Sequence, residues 1–451
     1  MRDTGVESQP MYVNIFETPR INVTSIERFM ALLAAGLNQT EYRIDTLPAV
    51  EEWDTLYKYS LQQNLLPIIS EQLVFSGVYE LAGKAISGKD AKEQKEAFAA
   101  IRYRSMFYEN MMAFSTDQVQ RTVQFYDYYE KIAAAGMRPI VVKGIVCRNT
   151  YPKPDLRPSG DEDLYVRPED YQKVKKVLLE NGFRLTDRSA DETMLEELEF
   201  INPQNGILYE VHTSLMPRIS SFYDKHNAAF EGAFERAKIE VFDGYEICTL
   251  AETQHLFFLL SHLLKHFVAG GVGIRQLCDI LMFIRKYHDV IDWQEFKGWL
   301  EKYHLEIFWA NLMEIGVRYL AFEPEKYGAP TYPGVKPDPE AILQDMFAAG
   351  AFGMSSFARM HSANLTIKAA EDGKAGMTGG LLKALFPSAE KMAERYPYLK
   401  EKKYLLPVAY GQRIVKFLKS RSEQSDETGR SVTELGRERV DMLERYGILG
   451  K

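Results

Sequence analysis

The sequence predicts an α+β protein in which a small mixed-sheet module is flanked by helical N- and C-terminal parts. Three observations carry this. Up to Gly136, apolar residues recur at helical spacing; from Arg138 the texture shifts to short β-type runs broken by turns; from Ala251 helical spacing returns. These shifts divide the 451 residues into a helical part (1–136), an α/β core (137–250), a second helical part (251–420) and a polar tail (421–451).

In the first part, Ile26–Ala35, Val50–Phe75 and a long run from Ala91 to Ala135 carry the helical repeat, illustrated by Leu56, Tyr59, Ser60, Gln63 and Leu66. Gly136 is a stop signal for the long run. Within the core, Arg138–Val142 (RPIVV) reads as a short strand, followed by Lys143-Gly144 and a short helix over Ile145–Thr150. Three prolines and a glycine make Tyr151–Gly160 a loop. Asp161–Val166 (DEDLYV) reads as a strand, and Glu169–Asn181 as an amphipathic helix ended by Gly182. Leu198–Ile201 and Ile207–His212 form a hairpin across an Asn-Gly turn in NPQNG. The clearest later helices are His255–Phe267, Arg275–Tyr287, Trp293–Tyr303 and Ile307–Phe322. Five prolines make Glu323–Pro339 a linker or extended loop, after which a helical part runs to about Ser420. There is no internal repeat.

Composition narrows the function classes. A formal charge of −8 is unsuited to coating nucleic acid non-specifically, so no DNA partner is expected. The three cysteines, Cys147, Cys248 and Cys278, contain no CxxC pair, which argues against a disulfide framework or cysteine zinc site and fits a cytoplasmic protein. The N-terminal MRDTGVESQPMYVNIF lacks the apolar run of a signal peptide. The most apolar stretch, His255–Leu264, is well short of the roughly 20 residues a membrane span requires and reads as a core helix.

The chemistry concentrates in the core. Residues two apart on a strand share a face, so Asp161 and Asp163 lie side by side and repel unless a cation sits between them. Hard carboxylate oxygens suit Mg²⁺. Glu162 faces the other way, solvated or ion-paired. In a chain with 63 acidic residues an isolated Asp-x-Asp carries little weight; three further features add to it. Lys143-Gly144 opens a helix whose N–H groups and dipole suit phosphate. Gly160 lets backbone or ligand approach the pair. Glu210, on the second hairpin arm (ILYEVHTSL), supplies a third carboxylate.

The runs VVKGIVCRNTYPKPDLRPSGDEDLYV and LYEVHTSL, with the helix ending in NGF between them, resemble an uncharacterised bacterial nucleotidyltransferase family of the DNA-polymerase-beta-like superfamily. WDTLYKYSLQQNLLPIISEQL, HLLKHF, GIRQLCDI and RYPYLKEKKYLLP extend the resemblance from about Val50 to Leu418. It implies a nucleotidyltransferase core that moves a nucleoside monophosphate from an NTP, ATP by expectation, to a hydroxyl acceptor by a two-Mg²⁺ mechanism. Asp161 and Asp163 would bind metal, with Glu210 as third ligand and activator of the acceptor. Lys143, the backbone at Gly144, and Arg157 would lie near the phosphates. Gly144-Ile145 stands where the wider superfamily has Gly-Ser or Gly-Gly. The acceptor, whether a small metabolite, a protein hydroxyl or an RNA end, is not readable. The rival classes are a non-catalytic nucleotide-binding or interaction protein on the same fold, and a zinc hydrolase using His262 and His266. Those two histidines share a helix face with His255, but HLLKH lacks the Glu of HExxH. The stripe therefore reads as interface packing or, between these extremes, as lining of the cleft. His212 is a site residue or a buried partner. Arg275 pairs with Asp279 at i, i+4, or contacts substrate.

Overall fold

The computed structural model describes residues 23–186, 196–350, 366–371, 403–419 and 432–449, with residues 392, 396 and 399. The N-terminal MRDTGVESQPMYVNIF lies outside the described residues, as do residues 395, 397, 398 and 400–402 of RYPYLKEKKYLLP. The helical first part comprises α1 (Val23–Asn38), α2 (Val50–Gln62), α3 (Leu66–Phe75), α4 (Val78–Ser87) and α5 (Ala91–Ala134). The periodic run Val50–Phe75 is two helices rather than one. Asn64 adopts a left-handed φ of 52° between them, and Pro67, which has no N–H to donate, sits in the first turn of α3.

The 44-residue α5 is about 66 Å long at 1.5 Å per residue and starts on Asp90, whose carboxylate accepts from the Lys92 and Glu93 amides. Tyr103 and Phe107 are buried toward its first end, where Trp53 stacks on Tyr103; Phe125, Tyr126, Tyr129 and Ile132 are buried against the sheet at the other. One helix thus joins the helical part to the core.

The core follows the expected order: β1 (Ile140–Val142), α6 (Gly144–Arg148), β2 (Asp161–Tyr165), α7 (Tyr171–Glu180), then β3 (Arg184–Leu185), β4 (Glu197–Ile201) and β5 (Leu208–His212). Short helices α8 (Ser221–Asp224) and α9 (Ala233–Arg236) lead to β6 (Lys238–Phe242) and β7 (Tyr245–Thr249). The seven strands are ordered β3-β4-β5-β2-β1-β7-β6. β2 runs antiparallel to β1 and parallel to β5, and β1 runs parallel to β7. The last hairpin carries its own sequence signal: KIEVF and YEICT flank Asp243-Gly244, a turn pair suited to two-residue hairpins.

Helices α10 (Glu252–Ala269), α11 (Ile274–Tyr287), α12 (Trp293–Lys302), α13 (Glu306–Leu320), α14 (Glu340–Ala349), α15 (Leu406–Lys419) and α16 (Val432–Arg445) complete the described chain. None of the described helices is long and apolar enough to cross a membrane. Apart from a small separate cluster at Met392, Leu399 and Ala409, the helical parts share one hydrophobic core with the sheet. Gln63 bonds the Ile274 amide and the Met346 carbonyl, and Arg285 donates to the Leu37 carbonyl. The stretch expected as a polar tail contains α16, which buries Leu443 and pairs Arg439 with Asp345 at 3.0 Å, with Tyr446 buried just beyond its end. Its apolar residues are too few to lift the mean hydropathy of the stretch, yet they fall on one side of the helix.

His226 lies wholly buried between Phe222, Phe257 and Tyr303, with neither ring nitrogen hydrogen-bonded among the described residues. Burial, aided by the Lys225 charge, pushes its pKa down to about 3 from 6.5. Above pH 6.5 the group has no effect. Below it the unfolded chain takes up a proton that the native state refuses, so stability falls as pH drops from 6.5 toward 3. His226→Phe should remove up to about 1.4 kcal/mol per pH unit of that slope. Urea denaturation at pH 7, 6 and 5 checks this; an unaltered slope would show that His226 does not resist protonation.

Candidate active site

β2 is an interior strand, and its alternation sends Asp161, Asp163 and Tyr165 to one face and Glu162 and Leu164 to the other. The parallel register with β5 sets Asp163 beside Glu210 and Tyr165 beside His212. Donor atoms of Asp163, Glu210 and His212 all lie within 4.8 Å of one another. Asp161 extends this group along the same face, at the more exposed start of the strand opposite Leu208.

Asp163 is 1% exposed, and two cationic groups meet its Oδ1: Lys143 Nζ at 2.9 Å and His212 Nε2 at 3.1 Å. Burial alone would raise the Asp163 pKa, but these partners hold it well below the usual carboxylate range. Burial likewise opposes the Lys143 charge, and the carboxylates of Asp163, Asp161 and Glu210 reverse the effect and raise its pKa. His212 is also buried, yet its contacts with Asp163 and Glu210 push it up to about 9. Glu210 moves upward through burial, reinforced by the charges of Asp163 and Asp161.

Lys143 reaches this position through an unusual backbone. It occupies the turn between β1 and α6 with φ 56° and ψ −127°, a conformation costing a non-glycine residue about 1–3 kcal/mol. Its amide donates to His255 Nε2 at 3.3 Å, leaving the His255 Nδ1–H to face the Thr249 hydroxyl. Its Nζ lies 3.2 Å from His262 Nε2, which in turn lies 2.9 Å from His266 Nε2. An ammonium only donates, so His262 Nε2 accepts and His266 Nε2 carries the hydrogen between the rings. Burial, with the Lys143 charge nearby, holds both rings below the ordinary histidine range, which keeps them neutral. The histidine stripe of α10 therefore lines the sheet module at Lys143, the intermediate of the readings its spacing allowed.

On the opposite face, Glu162 is ion-paired rather than solvated. Its carboxylate takes Arg148 Nη2 at 2.7 Å and the Ile145 amide at 2.9 Å, all buried. Gly144 makes room for it: a Cβ there would stand 1.8 Å from Glu162 Oε2, and φ is +34°. The Gly144 turn thus closes around a protein carboxylate, and one of the α6 amides expected to face phosphate is already bonded.

The remaining sequence candidates separate. Arg157 is 2% exposed and bidentate to Asp279, at 3.0 and 2.7 Å, with Tyr151 donating to the same carboxylate. It anchors the loop before β2 to α11 instead of facing a phosphate. Arg275 correspondingly donates to the Pro158 carbonyl at 3.3 Å rather than bridging to Asp279, because Arg157 occupies that carboxylate. Gly160 is open, with nothing within 4 Å of an added Cβ. Two contributors were not read as acting on this site: His255, noted only as part of the histidine stripe, which holds the Lys143 amide, and Gln118 of α5, which had no local signal and accepts from the Ser159 amide just before β2. Both act across more than 40 residues.

The donor set fits a divalent cation. Asp163 Oδ2 is buried with no hydrogen-bond partner among the described residues, and it belongs to a face carrying Asp161 and Glu210. An unsatisfied carboxylate oxygen in a buried setting is costly, and a cation relieves that cost.

A family model described as an uncharacterised nucleotidyltransferase matches residues 49–320, from the start of α2 to the end of α13. Comparison with curated proteins and with solved structures finds no match.

The packing at Gly144 yields a test. Gly144→Ala should expel the Glu162 carboxylate, strand the buried Arg148 charge and cost about 3 kcal/mol or more by chemical denaturation. Gly160→Ala should stay within about 0.5 kcal/mol of the parent protein. Equal stability of the two variants would remove the close approach as the reason for Gly144.

Proposed function

This chain belongs to that family of uncharacterised nucleotidyltransferases, and from this premise we propose that it moves a nucleoside monophosphate from an NTP, with ATP the expected donor, to a hydroxyl acceptor. The observation that carries the reading is the pairing of Asp163 with Glu210 on adjacent parallel strands, with Asp161 on the same face and Asp163 Oδ2 unpartnered.

In this reading Asp161, Asp163 and Glu210 hold Mg²⁺. When bound, the ion neutralises charge on the phosphates and favours ionisation of the acceptor hydroxyl. The bond formed joins the acceptor oxygen to the α-phosphorus, and the bond broken releases pyrophosphate. Glu210, register partner of Asp163 on the adjacent strand, is the carboxylate we assign to receive the acceptor's proton. His212 steadies both carboxylates from one side, its Nε2 lying 3.1 Å from Asp163 and 3.6 Å from Glu210. Lys143 brings positive charge to the place where a triphosphate would meet the carboxylates. Helix α10 packs against this face, with His255 and His262 both contacting Lys143. Small hydroxylated molecules, protein hydroxyls and RNA ends all remain acceptable as acceptors.

Two measurements test the reading. Replacing both Asp161 and Asp163 by Asn should weaken Mg²⁺-dependent ATP binding at least about tenfold, or 1.4 kcal/mol, with the fold retained. Calorimetry with and without Mg²⁺ reads the difference, and unchanged affinity would remove these residues from the metal site.

Glu210→Gln should keep nucleotide affinity within a few fold while lowering turnover of α-labelled ATP by about 10² or more. Gln preserves size but neither charge nor basicity, so the loss belongs to kcat rather than Kd. Full activity in Glu210→Gln would exclude it from the chemistry. A parent protein that binds Mg²⁺-ATP and never labels or hydrolyses it would favour the non-catalytic nucleotide binder.

A further inference from the structure

We propose that the Lys143 ammonium is a built-in cation of this site, so that the carboxylate face takes one divalent ion where an equivalent face without the lysine would take two. The inference rests on the nucleotidyl-transfer reading and concerns how its positive charge is supplied.

Lys143 Nζ is 2.9 Å from Asp163 Oδ1 with the side chain 14% exposed, and His262 Nε2 takes a second of its hydrogens at 3.2 Å. The side chain also leaves from a fixed point. The Lys143 amide is held by His255, and two residues on the Ile145 amide is held by Glu162, so the turn has bonded donors at both ends. Its positive φ aims the side chain from the end of β1 across to β2, where Val142 and Asp163 are register partners. The ammonium is therefore part of the packed site rather than a surface lysine that happens to reach it.

The two oxygens of Asp163 divide accordingly. Oδ1 is taken by the protein's own groups, Lys143 and His212. Oδ2 is buried and has no hydrogen-bond partner among the described residues. An exogenous ion has Oδ2 to bind, together with Asp161 and Glu210; a second one on the Oδ1 side would stand against an ammonium at hydrogen-bonding distance, where like charges repel strongly. The lysine thereby replaces a metal ion with a covalently tethered charge that is present before any ion arrives.

The test counts Mn²⁺ bound to the full chain, by the loss of free-ion signal in electron paramagnetic resonance, with Mn²⁺ alone and with a non-hydrolysable ATP analogue. The parent protein should hold one ion per chain under both conditions. Lys143→Met should hold two, with the spectral broadening of a close spin pair. Lys143→Gly, which accepts φ 56° without strain, should do the same and decides the matter if the Met variant fails to fold. Two coupled ions in the parent protein, or a count that stays at one in a folded Lys143 variant, overturn the inference and leave nucleotidyl transfer standing. A parent protein that binds neither Mn²⁺ nor the analogue overturns both.

Discussion

A carboxylate that is 1% exposed must be matched by positive charge, and much of this structure follows from how Asp163 is matched. Lys143 supplies part of that charge only because its backbone takes a left-handed φ at the end of β1. That backbone is held by His255, which lies on α10 outside the sheet module. The docking of α10 on the sheet is therefore a condition for the charge state of the site. The C-terminal helices belong to the site electrostatically as well as sterically, since His262 and His266 continue the same contact line.

Strand parity gives the molecule two buried charged systems back to back. Asp163 faces Lys143 and His212; Glu162, one residue away, faces α6 and closes on Arg148. The Glu162 pair satisfies its partners internally and can serve as a rigid floor, holding the β1–α6 turn against β2 through the Ile145 amide. The Asp163 system keeps one oxygen without a partner among the described residues. That asymmetry, one face closed and one open to a further cation, is the physical distinction between the structural carboxylate and those proposed to bind metal on a single five-residue strand.

The long loop before β2 is fixed from two directions. Arg157 and Tyr151 tie it to Asp279 on α11, and Gln118 ties Ser159 to α5. Its prolines limit its conformations, but these buried side-chain bonds decide where Asp161 starts. The helical parts and the sheet share one core, so the loop, the turn and the strand are held by elements far apart in the chain.

What the sequence determined by itself was local and periodic. The α+β class, the order of elements through the core and the Asp161/Asp163 alternation follow from spacing, turn residues and period-two geometry, which neighbouring residues carry. The parallel pairing of β2 with β5 and the antiparallel pairing with β1 were decided only by tertiary structure; they put Glu210 beside Asp163 and bring Lys143 across from it. So were the assignment of Arg157 to Asp279, the use of Gly144 to admit Glu162 and the hold of His255 on Lys143. Each of these depends on a contact between residues 18 to 122 positions apart, with no period or motif to announce it. A sequence shows which side chains carry charge; which charges meet depends on burial, because only the packed chain removes the water that would otherwise satisfy each of them separately.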